Sequence, residues 1–187
     1  MILEEDRAAA ELLLQEYVKN KNLIKHMLAV EAAMRAYALK FNENSDWWGN
    51  IGLLHDFDYE RYPNLQDHPY KGAAILKAKG YSELFINTIL AHASHTGAKR
   101  DTLAKKTIFA VDELTGLIVA TALVKPNKSL IEVDLNSIKK KMKSKAFARQ
   151  INRNEIIQGA HELNTTLDEH ISIVLTAMKS IGNNLNL

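Results

Sequence analysis

Apolar residues return at spacings of three, four and seven along nearly the whole of this chain, and that periodicity is helical. Leu23, Met27, Val30, Met34 and Phe41 mark one such face; Leu13 and Tyr17 begin another. Little interrupts the pattern, because 187 residues contain only 8 Gly and 3 Pro, few turn formers for a fold of many short strands. An all-α class follows. Caps and breakers predict helices over Asp6–Val18 and Leu23–Phe41, then one capped by Asp46 and running to about Leu54. Asp58 to Asp67, with Pro63, reads as a loop. Pro69 opens the next helix, which Gly80 ends, and Ser82 caps one carrying Leu84, Phe85, Ile89 and His92. After a loop from Gly97 to Asp101, the most apolar helix runs from Thr102 to about Val124, and Pro126 stops it. Three amphipathic helices are expected within Leu135–Lys143, Asn154–Leu163 and Leu167–Ile181.

No internal repeat, low-complexity tract or Gly/Ser-rich linker divides the chain. One compact domain over 1–187 is expected, with 1–20 as an N-terminal helix and about 130–187 as a C-terminal helical extension packed on it. The hydrophobic fraction of 47% and charged fraction of 25% are those of an ordinary globular protein. Met1 to Leu14 carries Glu4, Glu5, Asp6 and Glu11, unlike a secretory signal. Asp112 and Glu113 break the longest apolar segment, Ile108 to Val124, which is also shorter than the roughly 20 residues of a membrane span. These features lead to the expectation of a soluble, cytoplasmic protein without a membrane partner. With no Cys, disulfides and thiolate metal sites are excluded, and any metal must take nitrogen and oxygen ligands.

Three features are expensive to explain by folding alone. His55-Asp56 ends the apolar run Ile51-Gly52-Leu53-Leu54, where two polar groups cost free energy unless partnered. Asp112 interrupts Phe109-Ala110-Val111 and Leu114, where a carboxylate faces a desolvation cost on the order of several kcal/mol. His26 lies on a core helix, His68 just before a helix, and His92 on the inward face that follows Phe85 and Ile89. Taken singly, each has an ordinary structural explanation: a hydrogen-bonded core His, or a buried ion pair for Asp112. One divalent metal site explains His26, His55, Asp56, His68, His92 and Asp112 together. His161 and His170 are expected at the surface of the C-terminal helices.

The order His26, then Leu-Leu-His55-Asp56, then Asp112 resembles the H…HD…D signature of HD-domain phosphohydrolases, over roughly His26 to Lys125. The resemblance implies an all-helical, phosphodiesterase-like bundle with a metal held by His26, His55, Asp56 and Asp112. In family members with two metals, further histidines come from a His-Pro-x-x-Gly segment and the helix after it. His68-Pro69-Tyr70-Lys71-Gly72 and His92 stand in those places, with Asp56 as the bridging ligand. The match has two gaps. Phe57-Asp58-Tyr59 replaces the usual apolar residue, Gly and Lys, and no Gly-Tyr-Pro follows His92, which argues against the branch that cleaves cyclic di-guanylate.

The implied activity is hydrolysis of a nucleotide or other small phosphate ester by a metal-activated water, with one or two ions of Fe, Mn, Ni, Co or Zn. Asp56 and His95 are the catalytic candidates, His95 as proton donor to the leaving oxygen. Lys71, Lys99 and Arg100 are candidates for holding the anionic substrate. Asp58 is either a further acid/base group or a turn residue. The ligand set is also similar to that of the HD-fold di-iron oxygenases, which makes oxygen activation the second expectation. A third is a non-catalytic nucleotide- or nucleic-acid-binding module, from the basic run Lys139, Lys140, Lys141, Lys143, Lys145, Arg149 and Arg153. That run lacks interleaved aromatic residues on its helix and reads better as a solvated face.

Overall fold

The computed structural model describes residues 3–187, and among them there is no strand. Ten α-helices follow in order among the described residues: α1 Arg7–Tyr17, α2 Lys21–Phe41, α3 Ser45–Leu54, α4 Tyr70–Ala78 and α5 Glu83–Leu90. The second half holds α6 Leu103–Leu123, α7 Leu135–Lys143, α8 Arg153–Glu162, α9 Leu167–Ser180 and the short α10 Gly182–Leu185. The all-α expectation is therefore met. No helix of the described residues is long and apolar enough to cross a membrane.

Side-chain caps start most of these helices by satisfying amides that have no helical partner. The Asp6 carboxylate accepts from the amides of Ala8 and Ala9, Ser82 from Phe85, and Thr102 from Lys105. The cap of α3 differs from expectation. Asn44, not Asp46, accepts from the amides of Asp46 and Trp47, while Asp46 pairs with Arg35 at 2.7 Å. Both residue types cap well, so local sequence did not distinguish the two.

The two 21-residue helices, α2 and α6, are the spine. Met27, Val30, Met34 and Tyr37 of α2 are fully buried, as are Ile51 and Leu54 of α3 and Leu114, Leu117 and Ile118 of α6. Helices α2 and α3 lie unusually close: a Cβ on Gly52 would stand 2.9 Å from the Glu31 backbone and the Val30 carbonyl oxygen. Glu31 itself is buried and satisfied, accepting from Arg7 Nε at 2.7 Å and Arg35 Nε at 3.0 Å, which ties α1 to α2.

The C-terminal helices pack on α2 and α6, and one contact corrects a sequence expectation. His170, expected at the surface, is fully buried. Its Nε2–H donates to the Ala110 carbonyl at 2.9 Å, and its Nδ1 accepts from the Tyr37 hydroxyl at 2.6 Å. A buried imidazole with both nitrogens bonded costs little, so α9 can present it to α2 and α6. Burial holds its pKa down to about 4, and the ring is neutral at pH 7. His161 is exposed, as expected.

Candidate metal centre

Five chain segments converge on one site. Helix α2 presents His26 one turn in from its start, and α6 presents Asp112 near its middle. His55 is the C-cap of α3, still in helical conformation, and Asp56 follows it as the chain turns away. His68 closes the loop before α4, and His92 lies in the turn just after α5. The close approach at Gly52 brings His55 against His26, their ring centroids 5.1 Å apart.

These six residues form two triads, and Asp56 of the second also faces the first. Donor atoms of His26, His55 and Asp112 gather within 4.8 Å of one another, and those of Asp56, His68 and His92 do the same. Nε2 of His26 is 3.0 Å from Asp112 Oδ1 and 3.9 Å from Asp56 Oδ2. His55 Nε2 stands 3.6 Å from both of those oxygens. The other oxygen of Asp56, Oδ1, is 3.3 Å from Nε2 of His68 and 3.3 Å from Nε2 of His92. Asp56 thus turns one oxygen to each group.

The remaining nitrogens are anchored away from the centre. Nδ1–H of His55 donates to the Gly52 carbonyl at 2.8 Å, and that of His92 to the Ile89 carbonyl at 2.7 Å. His68 Nδ1 bonds Asp58 Oδ1 at 2.8 Å, while Asp58 Oδ2 accepts from the Gly72 amide at 2.7 Å. Asp58 stands in a turn, as one of the two expectations had it, yet it is fully buried and fixes the His68 ring. Gly72 is needed for this, since a Cβ there would meet the Asp58 carboxyl carbon at 2.8 Å. His26 Nδ1 faces the Thr115 hydroxyl at 3.5 Å, which donates to the Asp112 carbonyl. Each ring so held aims Nε2 inward, the arrangement that outer partners impose on metal-binding histidines.

A divalent cation fits this donor set. His55 Nε2 and Asp56 Oδ1 are buried without a hydrogen-bond partner, a costly state that a cation removes. Donors about 3 Å apart are also what two ligands at roughly 2.1 Å from one ion require. Without a cation, the imidazoles and carboxylates balance one another. Against burial, which alone would lower it, Asp56 and Asp112 carry His55 up to about 9. Asp56 and Asp58 do the same for His68, also to about 9. Burial would raise Asp56 and Asp112, yet the histidines around them hold both carboxyls below the ordinary range.

The other residues named from sequence lie outside the two triads. His95 sits exposed in a short 3-10 helix, Ser94–Thr96, and its Nε2–H donates to the His68 carbonyl at 3.1 Å. Lys71 is exposed at the start of α4, 3.9 Å from Asp67. Lys99 is exposed in the loop before α6 and lines a cleft of about 390 Å³ with Lys106. Arg100 is committed elsewhere: Nε and Nη2 both reach Glu162 at 2.8 Å, and the guanidinium stacks 3.8 Å over Phe109. One group escaped the sequence reading. Glu113 is half-buried beside Asp112, and burial and that neighbouring charge raise its carboxyl to about 7. Its only signal in the sequence was a second acid in the most apolar helix.

No curated protein and no solved structure matches the chain. A family model does, that of the HD domain, over residues 23–117. The matched segment opens with the turn of α2 that bears His26, ends one turn beyond Asp112, and holds all six convergent residues. The chain belongs to the HD-domain family.

Proposed function

We propose that the protein is a metal-dependent phosphohydrolase acting on a nucleotide or another small phosphate ester. The observation carrying this reading is the Asp56 carboxylate, one oxygen facing His26 and His55 and the other His68 and His92. Asp56 would so serve as a ligand to both of two bound cations. His26, His55 and Asp112 would hold one, His68 and His92 the other. Ions of the Fe, Mn, Ni, Co or Zn group suit such imidazole and carboxylate donors. Bound there, they lower the pKa of a coordinated water and polarise phosphoryl oxygens.

The chain's own groups orient and move protons. The carbonyls of Gly52 and Ile89 and the carboxylate of Asp58 hold three imidazoles in place, so the centre needs little rearrangement on binding. Glu113, poised near neutrality, and His95, at the rim beside His68, are the proposed proton-transfer groups. Lys71 and Lys99 are the proposed contacts for the substrate's negative charge.

The test is metal analysis of purified protein, then a phosphate-release screen with added manganese, nickel, cobalt or iron. Asp56→Ala should lose both bound metal and turnover, since Asp56 alone serves both triads. Full metal and activity in that variant would overturn the assignment. Iron with substrate-dependent oxygen consumption and no phosphate release would replace hydrolysis by oxygenation.

A further inference from the structure

Between Leu135 and Asn154 the chain carries seven cations, Lys139, Lys140, Lys141, Lys143, Lys145, Arg149 and Arg153, and no Asp or Glu. Several have internal work. Lys139 pairs with Asp168 at 2.7 Å, and Lys141 lies 4.2 Å over the Phe147 ring. Arg153 Nη1 donates to the carbonyls of Ala148 at 2.6 Å and Ile151 at 2.7 Å, and Nη2 reaches that of Phe147. One guanidinium thus cross-links the loop between α7 and α8 into a fixed shape.

Lys145 and Arg149 are left exposed and, among the described residues, make no ion pair. With Arg153, Gln150, Ile151 and Asn152 they line a cleft of about 560 Å³ whose walls carry no carboxylate. Its position gives the charge a use. The Ile151 side chain comes within 3.5 Å of where a Cβ on Gly116 would stand. Gly116 is one turn beyond Asp112 on the same face of α6. The Asn152 backbone meets Glu113, the neighbour of Asp112. Along α6, Ile151 of this loop therefore packs about one helical turn from Asp112.

We propose that this cleft binds the distal phosphate, or a comparable oxyanion, of a substrate whose scissile phosphate lies at the metal centre. The substrate class named is a small molecule with two separated phosphates, and the proposal rests on the phosphohydrolase reading above. Free Lys and Arg donors on a loop already rigid lose little entropy on capturing an anion, and an Arg fork matches phosphate geometry. The basic run, which composition alone left as a solvated face, becomes the specificity element.

Calorimetry on metal-loaded protein with two probes tests this: hexyl phosphate and hexane-1,6-diol bisphosphate, which differ only at the far end. Wild type is expected to bind the bisphosphate at least about tenfold more tightly, a preference that salt weakens. Lys145→Glu/Arg149→Glu should abolish the preference, and Lys145→Gln/Arg149→Gln, a milder change, should reduce it. Equal binding of the two probes by wild type, or a preference kept in the charge-reversed variant, overturns the proposal. So does salt-sensitive capture of phosphatidic acid vesicles, lost in that variant, when no preference among soluble probes exists. If the preference is present and lost as expected while neither probe releases phosphate, the cleft assignment stands and the hydrolysis reading falls.

Discussion

Asp58 shows how much one side chain can organise. One of its oxygens orients the His68 ring and the other takes the Gly72 amide, so the loop and the start of α4 close on a single carboxylate. Asp58→Asn keeps the size but puts an amide N–H where one of those two donors already points. The expected result is loss of metal affinity at the His68–His92 side by about 10- to 100-fold, the usual effect of removing a partner of a ligand. Metal titration by calorimetry should then show one tight ion per chain and one weakened. Unchanged stoichiometry and affinity for both would mean that His68 is not a ligand.

Helix α3 delivers the His-Asp pair, and Gly52 decides where. The Glu31 backbone leaves no room for a side chain there, so Gly52→Ala must push α3 off α2. Overpacking of this kind typically costs about 1–3 kcal/mol. Urea unfolding should show that loss, and metal affinity should fall with it, because the displacement separates His55 from His26. A variant as stable as wild type would show that the two helices can slide apart freely.

Across the whole molecule, three buried histidines make stability depend on pH, His55 and His68 in one direction and His170 in the other. His55 and His68, raised from 6.5 to about 9, stabilise the metal-free fold fully below pH 6.5, and this contribution is lost as pH rises through 9. The same protons compete with metal. Affinity for an added divalent ion should therefore rise between pH 6.5 and 9, and the gain in Tm on adding metal should widen with it. A flat profile would remove these imidazoles from the ligand set. His170 runs the other way. Its pKa falls from 6.5 to about 4, so the stability tied to its neutral form is complete above pH 6.5 and is lost as pH drops toward 4. The shift corresponds to roughly 3 kcal/mol. His170→Gln should flatten the acid limb of a Tm-versus-pH curve, and an unchanged limb would place the acid sensitivity elsewhere.

The helices, their approximate ends and the set of converging residues were legible in the sequence, because 3.6-residue periodicity and capping chemistry are local. His55-Asp56 and Asp112 stood out for the same reason: a polar group inside an apolar helical face is visible in one dimension as an unpaid cost. The roles of residues that act through a neighbour were not. That Asp58 does more than make a turn was hidden because His68 and Gly72, its side-chain partners, lie 10 and 14 positions away. His170 looked like a surface residue because Tyr37 and Ala110 are 133 and 60 positions away. Arg100 read as a free cation until α8 brought Glu162 to it. Which oxygen of Asp56 faces which triad depends on how α2, α3 and α6 cross, on where the turn after α5 ends and on the loop before α4. Sequence determines which groups must find partners, and only tertiary packing decides which partners they find.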